Sequence, residues 1–116
     1  MTRQAAERRG RAGETVAAWW LRFHGWRILA ARVKVRAGEV DLIAKRGRTV
    51  AFIEVKARAK AADLATAIDA YRLRRVVAAA NALSAKYAPK GEDIRIDVIL
   101  IAPFSRPRHL TNVWHG

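Results

Sequence analysis

G-E-V-D-L-I-A at Gly38 to Ala44 and, after a short turn, F-I-E-V-K-A-R at Phe52 to Arg58 are the residues that decide the reading of this chain. Thr49 to Ala57 is rich in β-branched and aromatic residues. With Arg46, Gly47 and Arg48 as a tight turn, Glu39 to Lys45 and Thr49 to Ala57 are expected to form an antiparallel hairpin. In the later strand Phe52, Glu54 and Lys56 share one face by the period of two, while Ala51, Ile53, Val55 and Ala57 point the other way. One face therefore turns from apolar to charged along its length. A hairpin loop of two or four residues pairs an odd position with an even one, so Asp41 lies opposite either Phe52 or Glu54. Either register makes the two carboxylates neighbours, with Cβ atoms roughly 5 Å apart if directly opposed and about 7 Å apart on the diagonal.

Two ionised carboxylates about 5 Å apart repel by about 3 kcal/mol at an effective dielectric of about 20, and a divalent cation is the natural compensation. Hard oxygen donors without Cys or clustered His favour Mg²⁺ or Mn²⁺ over zinc. Lys56 beside such an ion could orient or deprotonate the attacking water, or stabilise charge developing on phosphate oxygens. Taken singly, each of these residues is better read as a surface charge, with Asp41 and Lys56 as a simple ion pair. Their settings argue otherwise. Asp41 lies within Val40, Leu42 and Ile43, and Glu54 within Phe52, Ile53 and Val55, where solvated charges are poorly placed. Glu14 shares a helical face with Ala17, Ala18 and Leu21, which leaves it either aimed at the sheet or serving as a favourable first-turn charge. Glu39 falls on the Asp41 face by alternation, yet beside the turn it is as readily solvated.

Outward from the hairpin, Val16, Ala17, Trp20, Leu21 and Phe23 recur at helical spacing, so a helix is expected from about Gly13 to His24, ended by Gly25. Residues 1–11 place Arg3, Arg8, Arg9 and Arg11 around Glu7 and read as a basic, partly mobile arm, leaving 12–116 as a single domain. Trp26 to Val33 reads as the first strand. Leu73, Val76, Val77, Ala80, Leu83 and Tyr87 form the apolar stripe of a helix over Asp69 to Tyr87, closed by Pro89 and Gly91. Asp93 to Ala102 ends in Val98, Ile99, Leu100 and Ile101, which lack alternation and imply a strand covered on both faces. Leu110 to Trp114 reads as a last edge strand. The order α-β-β-β-α-β-β predicts an α/β fold with a mixed sheet flanked by helices, the later helix crossing over to bring the fourth strand in parallel.

The 116 residues carry 23 Lys and Arg against 10 Asp and Glu, a formal net charge of +13. Such a field attracts polyanions, and nucleic acid is the leading partner class, although a ribosome-associated or RNA-docking protein has the same balance. The absence of Cys excludes disulfides, thiolate zinc sites and a Cys nucleophile, and fits a reducing compartment. The longest apolar run, Val98 to Ala102, is too short to cross a bilayer, and the N-terminus lacks a signal-peptide core, so a cytoplasmic protein is expected. Arg58, Arg72 and Arg75 are candidates for phosphate contacts, with a solvated basic helix face as the equal alternative for the last two. Trp20 reads as core, whereas Trp19 and Trp114 remain open to base stacking. His24, His109 and His115 show no ligand spacing. Asp97 opens a buried strand and reads as a structural hydrogen-bonding residue with Arg95 on its face.

The blocks G-x-x-G-E at Gly10 to Glu14, D-L-I at Asp41 to Ile43 and E-V-K at Glu54 to Lys56 resemble the PD-(D/E)xK, or restriction-endonuclease-like, nuclease superfamily. Within it, the order of blocks is similar to the small bacterial YraN-type family, related to archaeal Holliday-junction resolvases. The resemblance spans Gly10 to about Ile101. It implies a restriction-endonuclease-like fold, with Asp41 and Glu54 as metal ligands and the Val55 carbonyl completing the protein's share. It further implies that Lys56 is the catalytic lysine and Glu14 an additional carboxylate from the first helix. The implied activity is Mg²⁺- or Mn²⁺-dependent cleavage of DNA, at branched or damaged structures, and a homodimer would suit a two-fold junction. Val33 stands where an Asn commonly follows the Arg of the first strand, and Arg72 where a Lys is frequent. A binding module that keeps the fold without catalysis is the competing expectation.

Overall fold

The computed structural model describes residues 3–59 and 70–114, with side chains from Gly10 onward in the first helix. The elements run α1 (Arg3–Phe23), β1 (Arg27–Val35), β2 (Gly38–Arg46), β3 (Thr49–Ala57), α2 (Ala70–Tyr87), β4 (Asp93–Ile101) and β5 (Arg108–Leu110). The strands form one five-stranded sheet in the order β1-β2-β3-β4-β5. β1, β2 and β3 are successive antiparallel neighbours, β4 lies parallel to β3 after the α2 crossover, and β5 returns antiparallel to β4.

The two helices cover opposite faces, which explains why the central strands need apolar residues at consecutive positions. On one face Ala17, Leu21, Trp26, Leu42, Ile53 and Ile99 pack together. On the other, Leu73, Val76 and Leu83 of α2 pack on Phe52, Val98 and Leu100. Val98 and Ile99 thus belong to different cores, as the lack of alternation in β4 implied.

α1 begins at Arg3 rather than near Gly13, so the basic segment is helical from that point. Glycine weakens a helix by about 1 kcal/mol relative to Ala but does not forbid one, and Arg is a good helix former. The expected apolar stripe is also rotated: Ala17, Ala18 and Leu21 are buried, while Val16 and Phe23 are exposed. At the far edge the last strand is Arg108–Leu110, earlier than expected, and Val113 and Trp114 instead pack against the α2 core. No described helix is long and apolar enough to cross a membrane.

Two local features shape the sheet. β1 is an edge strand, irregular in register between Ile28 and Ala30, and Arg32 within it takes a left-handed φ of 53°. In β4 the fully buried Asp97 accepts from Arg95 Nε (2.9 Å) and Nη2 (2.8 Å), from the Asn112 N–H (2.9 Å), and pairs with His109 Nε2 (2.7 Å). Burial opposes its ionisation, but His109, Arg95 and the Asn112 amide outweigh it and hold the Asp97 carboxyl below its ordinary range. An ionised carboxylate only accepts, so His109 Nε2 is the protonated ring nitrogen.

Candidate functional site

The β2-β3 ladder runs from Arg46 opposite Thr49 to Leu42 opposite Ile53, around a turn at Gly47 and Arg48. Phe52 pairs with Ile43, so Asp41 is left level with Glu54, the more direct of its two alternatives. Beyond Leu42 and Ile53 the ladder stops. There the Val55 N–H donates to Asp41 Oδ2 at 2.8 Å, so the carboxylate stands where a backbone acceptor would continue the sheet. A residue's N–H and C=O leave an extended strand on the same side, which turns the Val55 carbonyl toward β2 as well.

Glu54 and Lys56 lie on the Phe52 face, beneath α2, and are only 2% and 8% exposed. Lys56 Nζ and Arg72 Nη2 each approach Glu54 Oε1 to 3.1 Å. Neither contact has hydrogen-bond geometry, and both Glu54 oxygens are buried without a hydrogen-bond partner among the described residues. A buried carboxylate so placed is costly unless a further partner arrives. Asp41, although it accepts from the Val55 N–H, is also poorly compensated as an anion. Burial, then the charge of Glu54, raises its pKa from 3.8 to about 7, although the Val55 N–H and Arg72 oppose the rise. Among the described residues no three His, Asp or Glu side chains converge, so the donors on offer are two carboxylates and the Val55 carbonyl. All are hard oxygens, and that small set fits Mg²⁺, which keeps several of its waters.

Two glycines of the quoted blocks set the approach of the helices. A Cβ on Gly13 would lie 2.8 Å from the Ala57 Cβ, and one on Gly38 would collide with the Arg75 carbonyl of α2. Only glycine lets α1 close on β3 and α2 close on β2 at these points. Glu14 follows Gly13 and is carried to the same side as Asp41, where both line a cavity of about 200 Å³ with Arg32 and Arg72.

Residues 13–101 match the family model described as "Uncharacterised protein family UPF0102". The chain belongs to the UPF0102 family. Relatives include UPF0102 proteins of Rhizorhabdus wittichii, 68% identical over 98% of this chain and 97% of the relative, and of Sphingopyxis alaskensis, 65% identical over 98% of each. Among solved structures, Archaeoglobus fulgidus Hjc, titled a Holliday junction resolvase from an archaeal hyperthermophile, superposes with a TM-score of 0.60. It is 22% identical, over 88% of this chain and 71% of Hjc, so the likeness is one of fold. The UPF0102 family match and this resolvase-like fold bear out the resemblance drawn from the sequence blocks.

In the UPF0102 chain Asp41, Glu54, Val55 and Lys56 therefore come together at the end of one hairpin. Glu14 is near them but is held by Arg32, whose Nε lies 2.9 Å from Oε1 and 3.3 Å from Oε2. Glu39 is only partly buried and lies 4.0 Å from Arg75. Arg58 turns its Nη1 to the Ala57 carbonyl at 3.0 Å. Sequence reasoning did not single out Arg32, and did not foresee that Arg72 lies against Glu54. Arg72, a candidate phosphate contact, also sits against Glu54 Oε1. The spacing of 18 residues in each pair carries no periodic signal.

Proposed function

We propose that this chain is an Mg²⁺- or Mn²⁺-dependent endonuclease that hydrolyses phosphodiester bonds in DNA, with branched DNA as the preferred substrate class. The observation that carries the reading is Glu54: an enclosed carboxylate with no hydrogen-bond partner among the described residues, level with a second carboxylate whose pKa is pushed up to about 7. Asp41, Glu54 and the Val55 carbonyl would hold the ion. When bound, it would supply Lewis acidity toward the phosphate and lower the pKa of water. Lys56, anchored beside Glu54, orients the attacking water or stabilises charge on the phosphate oxygens. Glu14 adds negative charge from α1. The net charge of +13 and the resolvase-like fold support nucleic acid as substrate, and Arg58, Arg72 and Arg75 are candidates for its phosphates.

The test is cleavage of labelled duplex, single-stranded, flap and four-way-junction DNA with Mg²⁺ or Mn²⁺, with wild type and Glu54→Ala purified identically. Cleavage by wild type alone, strongest on the junction and abolished by EDTA, is expected. Equal cleavage by both proteins, or none by either, removes the reading. A second reading, a nucleic-acid-binding module without catalysis, is favoured by one observation: Arg32 and Arg72 already neutralise Glu14 and Glu54 within the protein. Such a module keeps its DNA or RNA affinity and gains no metal dependence, whether or not Glu54→Gln is made.

A further inference from the structure

The cavity that reaches Asp41 is lined by Arg72 but not by Glu54. Glu54 lies behind, with both oxygens shut off from solvent and Arg72 against Oε1. The two cations on Glu54 are unequal. Lys56 is 10% exposed and projects from the interior of β3, whereas Arg72 is 43% exposed in the opening turn of α2, at the boundary between carboxylate and solvent. A guanidinium in this place does for the carboxylate part of what a metal would do, and it repels a second cation arriving beside it. The contact lacks hydrogen-bond geometry, so little directional bonding opposes its release.

We propose that Arg72 is an internal counter-cation that competes with the divalent ion for Glu54, and that it leaves the carboxylate as the ion enters. This rests on the reading of Asp41 and Glu54 as metal ligands. Arg72 is thereby a positioning residue: it stands against Glu54 Oε1 and holds the carboxylate's orientation before the metal arrives, at the expense of metal affinity. Once displaced, the guanidinium is turned out beside the same cavity, where an incoming phosphate would meet it. Metal and polyanion then favour each other's binding, since each favours the released state of Arg72.

The experiment is a titration of Mn²⁺ alone into the full chain at pH 8, followed by calorimetry and by the electron paramagnetic resonance of free Mn²⁺. Wild type, Arg72→Gln, Arg72→Lys and Glu54→Gln are compared, with circular dichroism melts confirming that each is folded. Arg72→Gln is expected to bind Mn²⁺ about tenfold more tightly than wild type, equivalent to about 1.4 kcal/mol. Arg72→Lys, which keeps the charge without the planar fork, is expected to fall between them, and Glu54→Gln to lose the site. If Arg72→Gln binds no more tightly than wild type while Glu54→Gln abolishes binding, the competition is refuted and the metal site stands. If Glu54→Gln binds as wild type does, or no protein binds Mn²⁺, the metal-site reading itself fails and the competition with it.

Discussion

Replacing Asp41 by Asn removes a charge that the folded protein resists and keeps an oxygen to accept the Val55 N–H. The size of the effect follows from the two protonation states. Below pH 3.8 Asp41 is protonated in both the folded and the unfolded chain; between 3.8 and about 7 the unfolded chain ionises while the folded one does not. Folding stability contributed by this group therefore falls as pH rises through that window and is level above it. Each pH unit within the window costs the folded state about 1.4 kcal/mol, so the whole span from 3.8 to about 7 comes to somewhat more than about 4 kcal/mol, reduced to about 2 to 3 kcal/mol by the residual solvent access of the side chain. Urea denaturation in EDTA at pH 5 and pH 8 reads this directly. Wild type is expected to lose about 2 kcal/mol more than Asp41→Asn between the two pH values, and Asp41→Asn to be the more stable protein at pH 8. Saturating Mn²⁺ at pH 8 should reverse the order, because a bound ion holds the Asp41 carboxylate ionised. Parallel pH dependences for the two proteins in EDTA would refute the claim that Asp41 is an electrostatic liability in the metal-free fold.

Gly13→Val should destabilise the protein by about 2 kcal/mol in urea denaturation, since the new side chain must displace Ala57 backbone and Cβ rather than a flexible tip. Gly38→Ala is expected to cost at least as much, because the obstacle is the Arg75 carbonyl in the middle of α2. Asp97→Ala strands Arg95, His109 and the Asn112 amide, and a loss of about 3 kcal/mol is expected at pH 7. The pKa of Asp97 is lowered on folding, so its contribution is present above pH 3.8 and disappears as pH falls below that value; the acid limb of the stability curve should be shallower in Asp97→Ala. In fluorescence-anisotropy titrations of duplex DNA, Arg75→Gln should reduce the slope of log affinity against log salt by about 1 if Arg75 meets a phosphate, and leave it unchanged if it does not.

The hairpin and the crossover were legible because each is written in local patterns. Period two in Thr49 to Ala57 and the charged end of one face gave β3 and the Glu54-Lys56 pair. The apolar run Val98 to Ile101 gave a strand covered on both faces. The start of α1 was not legible, because Gly10 and Gly13 look like helix breakers until Ala57 is seen packed against Gly13. Nor was the rotation of its buried face, which depends on where α1 crosses the sheet. His109 carried no signal at all: its partner Asp97 is brought within 2.7 Å only because β5 folds back on β4. The counter-ions Arg32 and Arg72 were hidden for the same reason, being defined by tertiary contact rather than by spacing.

The irregular β1 edge bears on how copies of this chain can meet. An open strand with free backbone groups is a template on which another chain can pair, leading to swapped or fibrous assemblies. Here that template is spoiled by the register break after Ile28, by the left-handed backbone at Arg32, and by the positive charges of Arg27, Arg32, Lys34 and Arg36 along and just beyond the strand. Two such edges would repel one another and could not align their ladders. β1 is thus poorly built for continuous sheet extension by a second copy, and Arg32, where the backbone turns left-handed, is also the residue whose guanidinium meets Glu14.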